Sequence, residues 1–156
     1  MAGLLAVVRI RGSPGRRPDE EKTLESLRLH KVNHAVLVPD NEVFRGMLKK
    51  VEYAVTYGEI DRETLTLLLE KRGRLTGNRK ITVEYLKERG YESFEDLAEA
   101  LLNNKVSLKD LKELKPVFRL TPPSGGFKGT IKKHYRERGE AGYRGKDIND
   151  LLKRMI

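Results

Sequence analysis

Val32–Tyr57, VNHAVLVPDNEVFRGMLKKVEYAVTY, decides the fold of this 156-residue chain. Val32 to Val38 is apolar and β-branched and stops at Pro39, the pattern of a strand. Asp40 can cap a helix running to about Glu52, in which Phe44, Met47, Leu48 and Val51 recur at i, i+3, i+4 and i+7. Tyr53 to Tyr57 reads as a strand again and ends at Gly58. Toward the N-terminus, Leu4 to Arg11 reads as a strand closed by Gly12, Pro14, Gly15 and Pro18. Asp19 to His30 reads as a helix, with acids in its first turn and Leu24 and Leu27 on an apolar face. The order βαβαβ in under 60 residues contains a split βαβ unit, which predicts a small sheet carrying both helices on one face.

Downstream the pattern turns helical. Asp61 to Lys71, Thr82 to Arg89 and Ser93 to Asn103 read as helices, the second ended by Gly90. Ser93 with Asp96 and Ser107 with Asp110 look like capping pairs, and Pro116 stops the helix begun at Ser107. Val117 to Leu120 is a fourth strand, and Asp147 to Met155 a closing helix carrying Ile148, Leu151, Leu152 and Met155. The fold class is therefore α+β. Residues 1–60 form the βαβαβ core and residues 61–156 a mainly helical extension. No linker-like stretch separates them, so one compact unit is expected.

The composition narrows the function. There is no cysteine, which excludes disulfides and thiolate metal sites. The apolar start, Met1 to Val8, is short and has its arginines after it, so neither a secretory signal nor a membrane span is expected. The charged fraction of 35% with no glutamine leans toward a thermophile. Charge is the sharper signal. Three glycine-bearing stretches, Arg9–Pro18, Lys71–Lys80 and Ser124–Lys146, hold 16 of the 32 Lys and Arg residues and only 2 of the 23 acids, so they carry +14 and the remainder −5 of the net +9. Concentrated positive loops on a slightly acidic body suit a polyanion.

The cations concerned are Arg11, Arg16 and Arg17 in the first stretch, and Arg72, Arg74, Arg79 and Lys80 in the second. The third holds Lys128, Lys132, Lys133, Arg136, Arg144 and Lys146, with Gly125, Gly126, His134 and Tyr135 among them. Glycine lets a backbone come close to phosphates, lysine and arginine neutralise them, and aromatic rings stack on unpaired bases. Gly46 adds a finer signal. It lies opposite the apolar stripe of its helix, flanked by Arg45 and Lys49, and a mid-helix glycine costs about 1 kcal/mol relative to alanine. Either an RNA backbone approaches that face, or another part of the chain packs closely on it.

Catalytic motifs are lacking. Gly12-Ser13-Pro14-Gly15 and Gly125-Gly126-Phe127-Lys128-Gly129-Thr130 lack the Gly-Lys-Ser/Thr order of a phosphate-binding loop. His30 and His34 are four apart, but a helix end and a strand start separate them, so they are not expected to share a metal. His34, on an apolar strand, is either a packing residue or an RNA contact.

Leu27-Arg28-Leu29-His30-Lys31-Val32-Asn33-His34 and Phe44-Arg45-Gly46-Met47-Leu48-Lys49-Lys50-Val51 closely resemble a known family, universal large-subunit ribosomal protein thirty in its longer archaeal form, whose eukaryotic counterpart is numbered seven. The likeness continues through Tyr57-Gly58-Glu59, Leu120-Thr121-Pro122-Pro123-Ser124-Gly125-Gly126 and Asp150-Leu151-Leu152, nearly the whole length. Ser124 departs from it where relatives often carry arginine, and so does Arg138 where a second glycine is common. The resemblance implies a ferredoxin-like three-stranded antiparallel sheet and a structural role in translation, without enzymatic activity, cofactor, metal or small-molecule substrate. It implies large-subunit rRNA and other large-subunit ribosomal proteins as partners, in the cytoplasm, with no membrane partner. It also implies that Arg45, Gly46 and Lys49 face RNA. Two other readings of the residues are a metal-dependent RNA-processing enzyme and a basic module that binds an acidic protein.

Overall fold

The computed structural model describes residues 3–12, 17–111, 113–127 and 129–156, with the backbone alone at 109 and 132. Strand β1 (Leu4–Arg9) lies between β2 (His34–Pro39) and β3 (Val55–Glu59), antiparallel to both, with Val7 opposite Val36 on one side and Tyr57 on the other. All six residues of β1 are buried because both faces of the sheet are covered. Leu5 and Val7 point to one core, Leu4, Ala6 and Val8 to another.

The first core is closed by α1 (Pro18–Ser26) and α2 (Glu42–Lys50), which lie on the same face and contribute Leu24 and Leu48. Pro18 opens α1, and Asp19, Glu20 and Glu21 oppose the positive end of its dipole. The helix stops earlier than the expected His30. Arg28 takes a left-handed φ of 65°, and the Leu29 amide donates back to the Leu24 carbonyl, a Schellman ending that normally uses glycine. Asn33, at φ 71°, similarly delays β2 to His34. The cap of α2 is Asn41, whose Oδ1 accepts from the Phe44 amide at 2.9 Å. Asp40, the expected cap, instead binds Arg45. Gly58, expected to end the third strand, lies inside β3, where a Cβ would collide with the Gly145 carbonyl oxygen.

The second core belongs to the extension. Helices α3 (Arg62–Arg72), α4 (Val83–Glu88), α5 (Phe94–Leu102) and α6 (Ile148–Met155) supply Leu65, Leu68, Leu69, Leu86, Leu97, Leu101, Ile148, Leu151 and Leu152 against the other face of the sheet. Each fully buried leucine is worth about 1.5–3 kcal/mol in transfer terms. The result is three layers, helix–sheet–helix. The helix expected from Ser107 is a single 3-10 turn, Leu108–Asp110, ending well short of Pro116.

Two basic stretches read as loops contain strands. Lys71–Lys80 includes the hairpin β4 (Arg74–Leu75) and β5 (Arg79–Lys80), turned by Gly77 and Asn78 at φ 83° and 62°. The strand β6 (Val117–Arg119) pairs with β2. Within Ser124–Lys146, β7 (Thr130–His134) and β8 (Gly139–Tyr143) extend the sheet, β8 running parallel to β3 and β7 parallel to β8. The three expected core strands and the expected fourth strand, β6, thus sit inside a sheet of six, ordered β6-β2-β1-β3-β8-β7, to which β7 and β8 are the unexpected additions. Glycine hid β8, and β7 is a short, mostly basic run. A Cβ at Gly139 would meet the Lys133 carbonyl, and one at Gly142 the His134 ring, so backbone approach replaces the side-chain alternation that signals a strand.

Candidate nucleic-acid interface

The basic stretches divide into cations that hold the fold and cations that leave it. Arg9 is only 1% exposed. Its guanidinium donates to the Leu29 carbonyl at 2.7 Å and the Arg11 carbonyl at 2.8 Å, and pairs with Glu21 at 3.1 Å. A buried charge persists only with such partners. Arg11 is half-buried and Arg17 exposed at the start of α1. Arg16 and Lys128 lie outside the described residues, as does the side chain of Lys132.

The β4–β5 hairpin is docked by the Thr76 amide on the Glu113 carbonyl at 2.8 Å and by the Arg79–Glu113 pair at 3.3 Å. Arg72 reaches the Arg119 carbonyl at 3.3 Å, and Arg74 donates to the Gly73 carbonyl at 2.9 Å. Lys71, Arg79 and Lys80 are exposed.

In the last basic segment Lys133, Arg136, Arg138 and Lys146 are exposed. Two residues expected at an RNA surface are instead inside the protein. Arg144 donates to Thr56 Oγ1 at 2.7 Å and to the Glu140 carbonyl at 2.6 Å, and pairs with the Glu140 carboxylate at 3.1 Å. Burial lowers the Arg144 pKa from its ordinary value, and the Glu140 carboxylate opposes that shift. His134 Nδ1 accepts from the Arg136 amide at 3.1 Å, its Nε2 lies 3.6 Å from Glu52, and its ring meets Tyr53 edge-on. Arg144 fastens the end of β8 to β3, and His134 fastens β7 to the Glu52–Tyr53 turn that precedes β3, so their polar groups are committed within the fold.

Helix α2 presents the clearest open face. Gly46 is exposed, and among the described residues no atom beyond its chain neighbours and its own helix backbone lies within 4 Å of the position a Cβ would occupy. Among the described residues nothing packs there, which removes support for one of the two explanations for this glycine, close packing by another part of the chain. Lys49 is exposed on the same helix, and Val43, one turn before Gly46, is 71% exposed. Arg45 is the exception on this helix. Asp40 holds it through Nη2 at 3.0 Å and Nε at 2.5 Å, and Glu59 lies 3.5 Å away. That hydrogen bond pulls the Asp40 pKa down and raises that of Arg45. The Arg45 guanidinium lies 5.2 Å from the Tyr143 ring centroid, and the Tyr143 hydroxyl donates to Glu59 at 2.5 Å. Arg45 and Tyr143 thus join the α2 face to the last basic segment. Tyr143, partly exposed beside this network, was absent from the sequence-based contacts because only the fold brings it to α2.

Gly125 and Gly126 form an exposed turn at φ 80° and 76°, again with nothing among the described residues within 4 Å of their Cβ positions. Arg154 anchors the turn by donating to the Gly126 carbonyl at 2.7 Å. His34 is half-buried, and its Nδ1 has no hydrogen-bond partner. Burial, then the Arg119 and Lys31 charges, lowers its pKa, so it is neutral at pH 7. Among the described residues no group of three His, Asp or Glu side chains is placed to hold a metal ion. No described helix is long and apolar enough to cross a membrane.

Comparison with known proteins bears on this surface. The family model described as ribosomal protein L30p/L7e matches residues 5–55, the βαβαβ stretch. Over its whole length the chain is similar to curated archaeal proteins. It is 61% identical to the large ribosomal subunit protein uL30 of Thermofilum pendens, covering 98% of this chain and 99% of the relative. It is 55% identical to the protein of that name from Archaeoglobus fulgidus, covering 97% and 99%. For Nanoarchaeum equitans the identity is 50%, covering 98% and 99%.

Proposed function

The chain belongs to the ribosomal protein L30p/L7e family, and from that premise we propose that it is a structural constituent of the large ribosomal subunit that binds large-subunit rRNA. It works in translation, in the cytoplasm on the ribosome, beside other large-subunit proteins, and it is not an enzyme. The contacts are the exposed basic loops and the α2 face around Gly46 and Lys49. Arg11, Arg17, Arg79, Lys80, Lys133, Arg136 and Lys146 supply charge at the surface. Gly125 and Gly126 supply a backbone turn free of side chains. Residues 1–60 and the extension 61–156 act together as one compact unit.

One observation carries this reading. Gly46 weakens an exposed helix by about 1 kcal/mol, and none of the described residues outside its own helix occupies the space beside it. An external partner that comes close to the backbone accounts for it. A phosphodiester backbone suits the neighbouring Lys49. Recognition is then mainly of shape and backbone.

Sedimentation with ribosomal subunits tests the proposal. The purified protein co-migrates with the large subunit at low salt. Its binding to rRNA fragments weakens linearly in log salt, by roughly 0.7–0.9 per phosphate neutralised. Absence from the large-subunit fraction, or an affinity independent of salt, would refute it.

A further inference from the structure

Beside β8 lies an open cleft of about 560 Å³, lined in part by Tyr135, three arginines (Arg138, Arg144, Arg154) and three carboxylates (Glu140, Asp147, Asp150). The formal charges of these side chains cancel. Around it the surface is basic, with Lys133, Arg136 and Lys146 exposed. A phosphate is drawn to that rim rather than to a cleft whose described lining is neutral. The cleft favours an uncharged polar group that carries both donors and acceptors.

Most of the lining is already committed. Arg144 pairs with Glu140 at 3.1 Å, Tyr135 donates to Asp147 at 2.5 Å, and Arg154 donates to the Gly126 carbonyl at 2.7 Å. The Arg144 guanidinium lies 4.7 Å from the centroid of the Tyr135 ring and so occupies one of its faces. The Tyr135 ring is only half-buried and lines the cleft, so a base can reach it from there. Among the described residues, the side chains of Arg138 and Asp150 have no hydrogen-bond or ion-pair partner. Arg138 sits at φ 65°, a conformation glycine adopts freely and a side chain takes at a cost. The cleft therefore offers an aromatic platform, a free carboxylate and a free guanidinium.

We infer that this cleft receives one unstacked guanine of the bound RNA. The base stacks on Tyr135, Asp150 accepts from its N1–H and N2–H, and Arg138 donates to O6 and N7. Guanine alone among the four bases has a two-donor run beside a two-acceptor run, and arginine on O6 and N7 is its commonest specific contact. Single-stranded RNA bases are read in this way, stacked on an aromatic ring and hydrogen-bonded on their edges. A cleft of this size falls within the ordinary range of ligand sites.

The inference rests on the RNA-binding reading above, and one experiment separates the two. Large-subunit rRNA is bound to the full chain and probed with kethoxal, which reacts with unpaired guanine at N1 and N2. Hydroxyl-radical cleavage of the same complex reports the backbone footprint. With the unaltered protein, one unpaired guanine is protected. With Asp150→Ala or Tyr135→Ala it reacts again, while the backbone footprint persists. Arg138→Ala weakens binding roughly ten-fold, and the salt slope stays the same because no phosphate contact is lost. If the guanine stays protected in Asp150→Ala, the inference is wrong. It is also wrong if Arg138→Ala lowers the salt slope by about 1, which would put that arginine on a phosphate. If the unaltered protein leaves no footprint, the RNA-binding reading falls as well. Asp150 is exposed, so its variant reports on the cleft even if Tyr135→Ala does not fold.

Discussion

The α2 face and the β7–β8 segment look alike in sequence, since each sets glycine among lysines and arginines, but their glycines do opposite work. On α2 the space beside Gly46 is empty, whereas at Gly139 and Gly142 it is filled by the Lys133 backbone and the His134 ring. A glycine with a filled neighbourhood serves the fold, and one with an empty neighbourhood is available to a partner. The cations divide in the same way. Lys49, Lys133 and Lys146 point outward, while Arg144 is buried against Glu140.

Gly142→Ala probes the filled side and has the largest effect. It combines a positive φ of 83° with a collision against His134, so stability should fall by about 2–4 kcal/mol. The fall should appear as a lower urea midpoint. An unchanged midpoint would mean that β8 does not depend on that close approach. Next comes the outward charge. Changing Lys133, Arg136 and Lys146 together to alanine should reduce the salt slope of rRNA binding by about 2–3 and leave the urea midpoint nearly unchanged. A slope that does not move would place those cations away from phosphate.

Gly46→Ala sharpens the comparison because its two consequences have opposite signs. The free protein should gain up to about 1 kcal/mol of stability, while retention on large subunits weakens. A variant that is both more stable and equally well retained would remove the partner from α2. The smallest effect concerns His34. Its folded pKa lies below the ordinary 6.5, so the unfolded chain takes up the proton first as pH falls. Stability is therefore full above pH 6.5 and declines below it, through the folded value. His34→Gln should flatten that part of the stability–pH curve in urea titrations.

The βαβαβ core was legible because periodicity is unambiguous there. β1 is a continuous apolar run, as a strand covered on both faces must be, and the Phe44–Val51 stripe has helical spacing. Boundaries slipped where a non-glycine residue takes a left-handed turn, as at Arg28 and Asn33, because nothing in those residue types announces it. β7 and β8 were missed for a deeper reason. In β8, Gly139 and Gly142 admit the Lys133 backbone and the His134 ring in place of side chains, and β7 has no glycine but is a short run dominated by Lys132, Lys133 and His134, so neither leaves an alternating apolar pattern to read. The same gap obscured the site. Charge located the basic stretches, but which cations are internal depends on partners distant in sequence. Thr56 is 88 residues from Arg144 and Glu52 is 82 from His134.

The parallel pairing of β8 with β3 also sets a timetable. A chain emerging from the ribosome completes β3 at Glu59, but Gly139, the first residue of β8, follows 80 residues later. At 5–20 residues per second that interval is roughly 4–16 s. Throughout it the outer edge of β3 is an open strand edge, the kind of surface on which nascent chains pair wrongly. Newly made copies of this chain should therefore depend most on protection from one another during that window, in which the polypeptide grows from residue 59 to residue 139 of 156 and the sheet still lacks its far side.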